Sequence, residues 1–132
     1  MRYLGIDYGH KRVGVAVSDE SLKFALPVSV IANTPELLAE VEKIALDKGT
    51  RDIVIGESHG YDMSANKILP EIMAFKEKLD EKGYRTYLEP EFMTSAHAEK
   101  LQGKHDKIDA SAAALILQSF LDKRAGLDKR DN

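Results

Sequence analysis

The sequence contains no cysteine. That single absence excludes disulfides, zinc–thiolate sites, iron–sulfur clusters and thiol nucleophiles together. Tryptophan is also missing, which leaves 5 Tyr and 4 Phe as the aromatic set. No apolar run reaches membrane-spanning length and no cleavable signal pattern opens the chain, so a cytoplasmic location is expected. An excess of basic charge is lacking too: 19 Lys+Arg stand against 22 Asp+Glu, a formal net charge of −3. Long-range attraction to a polyanion is therefore weak unless positive charge is clustered. Repeats, linkers and low-complexity segments are absent, so the 132 residues read as one domain. With 43% hydrophobic and 31% charged residues, the chain has the balance of a globular protein and the length to bury a core.

What is present has a readable order. Arg2 to Asp7 is a short apolar segment, and Val13 to Asp19 alternates valine with small residues, the period of a strand. The short turn between them predicts an antiparallel hairpin. Ala25 to Ile31 is a third strand, placed at an edge by Pro27. Thr34-Pro35 reads as a helix start, followed by Leu37, Leu38, Val41, Ile44 and Ala45 at helical spacing and a stop at Gly49. Asp52 to Gly56 has the unbroken apolar character of a buried parallel strand. A second amphipathic helix carries Ile68, Ile72, Phe75 and Leu79, with Pro70 expected in its first turn and Lys82-Gly83 at its end. Tyr84 to Leu88 is a fifth strand, stopped by Pro90. A short helix is expected near Thr94 or Ser95. The last helix, Lys107 to Asp122, is apolar around most of its circumference from Ala110 to Leu117 and so reads as buried. Residues 124–132 read as a charged, frayed tail. Hairpins followed by β-α-β units predict an α/β fold, one mixed sheet with helices on both faces.

Sites in such sheets lie beyond the strand ends. Asp7 ends the first strand, Glu57 follows the fourth, and Glu91 follows the fifth with Glu89 two residues earlier. Asp109 lies in the first turn of the last helix, with Asp106 on the same face. Each acid alone also has a structural explanation. Asp7 can organise a turn, Asp106 can cap a helix, Asp109 can answer the helix dipole, and the glutamates can be solvated loop residues. Together, carboxylates from separate segments at one end of a sheet are what a hard divalent ion requires. Paired ions of this kind activate water and stabilise the leaving oxygen of a phosphodiester.

The segment GIDYGHKRVGVAVSD resembles the opening of the YqgF family, also called RuvX. These are ribonuclease H-like proteins assigned as Holliday-junction resolvases and as nucleases of ribosomal-RNA precursors. Asp7-Tyr8-Gly9, the basic pair Lys11-Arg12 and the strand Val13 to Asp19 carry the likeness. The block Asp109 to Leu121 resembles the family's closing helix, and Glu91 to Glu99 its E-R-L-T-T segment. The resemblance covers Met1 to about Lys123 and implies a single nuclease domain over 1–123 with a ribonuclease H-like five-stranded sheet. It also implies that Asp7, Glu91 and Asp109 form an acidic triad that binds Mg²⁺ or Mn²⁺. The chain departs from the family at Pro90-Glu91-Phe92, where a flanking acid and an arginine are missing. It departs again at Gly56-Glu57-Ser58-His59-Gly60, which places an additional acid where related resolvases carry a catalytic glutamate. A site of four carboxylates follows: Asp7, Glu57, Glu91 and Asp109.

Lys11, Arg12 and Thr94 are candidate phosphate contacts, although exposed turns often carry basic residues and Thr94 also reads as a helix cap. Lys100, Lys104 and Lys107 form a modest basic cluster. His10, His59, His97 and His105 lack metal-ligand spacing and read as surface residues. Tyr8 can stack on a base or pack in a turn. The expected activity is metal-dependent hydrolysis of structured nucleic acid, and the family resemblance implies the 5′ end of precursor 16S ribosomal RNA as its substrate. A branched-DNA resolvase and a non-catalytic nucleic-acid-binding module are the alternatives. Sugar-kinase and actin-like ATPases also open on a G-I-D strand but need a second large domain that 132 residues do not supply. The partner is structured RNA or branched DNA, no membrane is involved, and the assembly is a monomer or a homodimer.

Overall fold

The computed structural model describes residues 2–57, 63–90 and 105–131, with side chains placed over 2–56, 68–89 and 112–125. The elements run β1 (Tyr3–Tyr8), β2 (Arg12–Ser18), β3 (Ala25–Ala32), α1 (Leu37–Lys48), β4 (Asp52–Glu57), α2 (Met63–Glu81), β5 (Arg85–Pro90) and α3 (His105–Asp131). The strands form one five-stranded sheet in the order β3-β2-β1-β4-β5. The β1–β2 and β2–β3 pairs are antiparallel, while β1–β4 and β4–β5 are parallel. This is the mixed sheet that the element order predicts.

Helices cover both faces of the sheet over β1, β2 and β4. Leu4, Ile6, Val13, Val15, Ile53 and Ile55 face α1 and α2, meeting Val41, Ala45, Ile72, Phe75 and Leu79. Tyr3, Ala16 and Val54 face α3, meeting Ala113, Ile116, Leu117 and Phe120. Burial on both faces explains why Asp52 to Gly56 lacks the polar alternation of a half-exposed strand. Fully burying one such isoleucine contributes about 1.5–3 kcal/mol. The sheet and α3 approach each other closely at Gly5. A Cβ built there would stand 2.8 Å from Leu117 Cβ and 3.0 Å from the Ala113 carbonyl oxygen. The missing side chain therefore fixes how low α3 sits on β1.

The edge position of β3 agrees with Pro27. The β2–β3 register shifts beside it, with Ser29 opposite Val15 and Pro27 opposite Ala16, so that Val28 is the extra residue of a bulge. Both crossover helices end in the same way. Gly49 takes φ 66°, and the Gly49 and Thr50 amides donate to the Leu46 and Ala45 carbonyls. Gly83 takes φ 94°, and the Gly83 and Tyr84 amides donate to Asp80 and Leu79. A left-handed glycine satisfies the last carbonyls and turns the chain directly into the next parallel strand.

Several boundaries differ from the sequence reading. Helix α1 begins at Leu37, because Thr34 to Glu36 form a turn in which the Thr34 hydroxyl accepts from the Glu36 amide. Helix α2 begins at Met63, so Pro70 lies inside the helix and not in its first turn. Pro70 is exposed, and solvent can meet the backbone carbonyl that its missing N–H leaves over. Strand β2 stops at Ser18; Asp19 instead accepts from the Lys23 and Phe24 amides and closes the turn to β3. Strand β5 runs on through Glu89 and Pro90, paired with Gly56 and Glu57. Helix α3 continues past Asp122 to Asp131, so the expected frayed tail is helical backbone; one glycine, Gly126, does not stop a run of otherwise helix-compatible residues. The short helix expected near Thr94 lies outside the described residues.

Candidate active site

Parallel pairing brings the ends of β1, β4 and β5 to one edge of the sheet. The register sets Asp7 opposite Gly14 on β2. On the other side Ile6 pairs with Ile55, which puts Gly56 level with Asp7. Asp7 is thus flanked by glycine on both neighbouring strands, with Gly5 behind it on the same face of its own strand. The residue is half-buried, and the strand extends one residue beyond it to Tyr8. Glu57 is the last residue of β4 and pairs with Pro90, the last residue of β5. Glu91 follows Pro90 directly but, with Thr94, lies outside the described residues.

Helix α3 supplies the other layer. It runs antiparallel to β1: Gly5 meets Ala113 and Leu117, while Tyr3 meets Phe120 edge-on at 5.3 Å and lies under Arg124 at 5.7 Å. From Gly5 to Asp7 is a strand rise of about 6.6 Å. From Ala113 back to Asp109 is a helical rise of about 6 Å. Both steps lead the same way, so the backbone of Asp109 lies towards the Asp7 end of the sheet. Asp106 lies almost one turn further out on the same helix.

The turn after β1 is held by its backbone. Gly9 must be glycine, because a Cβ there would stand 2.6 Å from the Arg12 carbonyl oxygen. Asn33 ties the turn to the end of β3: its side-chain amide donates to the Gly9 carbonyl at 2.7 Å and its backbone amide to the Lys11 carbonyl at 2.9 Å. Lys11 and Arg12 are exposed at this edge, where phosphate contacts are expected. His10 Nδ1 lies 3.3 Å from Glu71 Oε1 on α2, so this histidine faces a carboxylate partner at the surface.

Two other acids behave differently from the sequence reading. Glu89 is not a loop acid: it lies in β5, is 3% exposed, and accepts from Ser119 Oγ at 2.9 Å and Lys123 Nζ at 2.6 Å. Its partners on α3 hold it although it is in register with Gly56, the neighbour of Asp7. Tyr87 and Glu89 alternate onto the face covered by α3, and this two-residue spacing is the signal that marks Glu89 as an inward acid. Asp52, at the amino end of β4, was not singled out by its sequence context. It is 3% exposed, accepts from Arg85 Nε at 2.7 Å and Nη2 at 2.9 Å, and accepts from Tyr87 Oη at 3.1 Å. The Arg85 fork holds its carboxyl below the usual carboxylate range, against the opposing effect of burial. Both acids pin elements together: Asp52 at the amino end of β4, away from the glycine-lined edge, and Glu89 at the level of Gly56, tied to α3.

Comparisons with known proteins bear on the family and the fold. A family model described as RuvX, Holliday junction resolvase, matches residues 1–123. A protein of Opitutus terrae named "Putative pre-16S rRNA nuclease" is 34% identical, over 94% of this chain and 93% of its own. One of the same name from Nitratidesulfovibrio vulgaris is 35% identical, over 92% and 93%. Among solved structures, Thermus thermophilus RuvC in complex with a Holliday junction substrate superposes with a TM-score of 0.61 at 17% identity, covering 96% of each chain. The fowlpox virus resolvase in complex with Holliday junction DNA gives 0.56 at 10% identity, covering 93% of this chain and 98% of that one. These two likenesses show a shared ribonuclease H-like fold. Its order of strands, its closing helix and a family match over residues 1–123 place the chain in the RuvX family.

Proposed function

We propose that the chain is a metal-dependent nuclease that hydrolyses phosphodiester bonds in structured nucleic acid, and that it trims the 5′ end of precursor 16S ribosomal RNA in the cytoplasm. The observation that carries this reading is the convergence of β1, β4, β5 and α3 on one edge, with glycine on both strands beside Asp7. The names of the relatives from Opitutus and Nitratidesulfovibrio support the RNA substrate. Residues 1–123 act as one nuclease domain.

The donor set suits Mg²⁺ or Mn²⁺: Asp7, Glu57, Glu91 and Asp109 offer only carboxylate oxygens, and the glycines beside Asp7 leave its neighbouring positions without side chains. Bound there, such an ion supplies Lewis-acid activation of water and stabilisation of the leaving oxygen. The chain's own residues orient the substrate. Asp7 is fixed by the β1–β2 ladder, Lys11 and Arg12 hold phosphate beyond it, and Thr94 contributes a hydroxyl to the same backbone. α3 shields the site from below through its close seat on Gly5. The charge balance suits metal-dependent attraction, since two divalent ions bring the formal count from −3 to +1.

A cleavage assay in Mn²⁺ with precursor 16S ribosomal RNA, a four-way DNA junction and single strands tests the proposal. Wild type is expected to cut the RNA, with Asp7→Asn as the inactive control. Preferential cutting of the junction would replace RNA processing with resolvase activity, the description carried by the family model. Identical behaviour of wild type and Asp7→Asn on every substrate would remove the nuclease reading.

A further inference from the structure

Across the sheet from Asp7 lies an open cleft of about 280 Å³ between the end of β1, the turn preceding α1, and α2. Its floor is apolar and aromatic. Phe75 is buried there, Leu38 packs on the same core, and the Tyr8 ring stands 5.4 Å from the Phe75 ring at 44°. Its rim carries Asn33, Glu71 and Lys78. Asn33 is held by its bond to the Gly9 carbonyl, and Glu71 Oε1 lies 3.3 Å from His10 Nδ1. Tyr8 directly follows Asp7, and strand alternation puts the two side chains on opposite faces of the same edge. A nucleic-acid strand that crosses the end of β1 with a phosphate at Asp7 would bring an adjacent base to the Tyr8 side.

The lining selects the kind of group that enters. A carboxylate at the rim and an apolar floor disfavour phosphate. A planar group with apolar faces and hydrogen-bonding edges matches both parts, and Lys78 at the mouth suits the backbone that carries it. We propose that the cleft takes an unpaired nucleobase next to the scissile phosphate, stacked on Tyr8 with its polar edge towards Asn33 and Glu71. The inference rests on the nuclease reading and narrows it. A base held inside a continuous duplex cannot enter, so the substrate has an unpaired nucleotide beside the cleavage point.

The test scans an abasic nucleotide through the positions flanking the cleavage point. With wild type, one position is expected to lower kcat/KM about tenfold, the loss of one stacked base. Tyr8→Leu should lose a similar factor on the intact substrate and become insensitive to the abasic nucleotide at that position. Tyr8→Phe should restore sensitivity, because it keeps the ring. A flat scan with wild type, or equal cleavage of a fully paired duplex, overturns the proposal without any variant. A second arm needs no cleavage: a single strand carrying 2-aminopurine is titrated with Asp7→Asn, and stacking should quench its fluorescence unless Tyr8→Leu is added. Quenching without cleavage by wild type would retain the base cleft and remove the nuclease. Quenching that survives Tyr8→Leu, or none at all, would remove the cleft.

Discussion

At the amino end of β4, Asp52 is buried and receives two hydrogen bonds from Arg85 and one from Tyr87; at the carboxyl end of β1, Asp7 is half-buried and has glycine on both neighbouring strands. The sheet thus uses acids in two ways. One kind is enclosed by partners and ties strands together. The other, half-buried, stands beside Gly14 and Gly56 at the edge where parallel strands end. Burial goes with the structural ties, since Asp52 and Glu89 are the most enclosed acids among the described residues. What distinguishes Asp7 is its place: glycine occupies the adjacent position on both neighbouring strands, at the carboxyl end of β1.

The contrast predicts that activity and stability come apart. Asp7→Asn should lower cleavage by about 10³-fold or more while the melting temperature stays nearly constant, measured by Mn²⁺-dependent turnover and thermal unfolding. A large loss of stability in this variant would make Asp7 a structural acid like Asp52. Asp52→Ala should do the reverse. It should cost about 2 kcal/mol and lower the melting temperature by about 8 °C, with turnover retained below the transition. Arg85 is well exposed and stays solvated when its partner is lost, which keeps the cost below that of a fully buried pair.

The Asp52 difference should also depend on pH with a defined sign. Its carboxyl is lowered from 3.8 in the folded protein, chiefly by Arg85. Its contribution is therefore complete above that value and is lost as pH falls through the lower folded value. Melting curves of wild type and Asp52→Asn should differ at neutral pH and converge in acid. Glu89→Gln should have a smaller effect, about 1 kcal/mol, because the amide can still accept from Ser119 while its attraction to the exposed Lys123 is lost. Smallest of all, Arg12→Gln should raise KM a few-fold and leave stability within about 0.5 kcal/mol, as expected for an exposed phosphate contact.

The carboxylates were legible because acids at the ends of apolar segments stand out against the pattern around them. Asp7, Glu57 and Asp109 each interrupt or terminate such a segment. Glu89 was less legible: its proximity to Pro90 suggested a loop, and only the pairing of Glu89 with Gly56 carries the strand that far. Pro70 misled in a similar way. Local rules place a proline in the first turn, but packing of Ile68, Ile72 and Phe75 sustains the helix through it on the exposed side. The cleft at Tyr8 has no linear signature, since its walls come from β1, the turn before α1, and α2.

By itself the sequence determined the element order, the edge position of β3, the mixed sheet and the acids at its strand ends. Those follow from periodicity, proline and glycine chemistry, and the cost of burying charge, which act within a few residues. Only the tertiary structure decided which acids are enclosed, as Asp52 and Glu89 are, and that glycines fall on both strands beside Asp7. That choice depends on register across strands and on the seat of α3 against Gly5, and a register shift of one residue would turn each side chain to the other face.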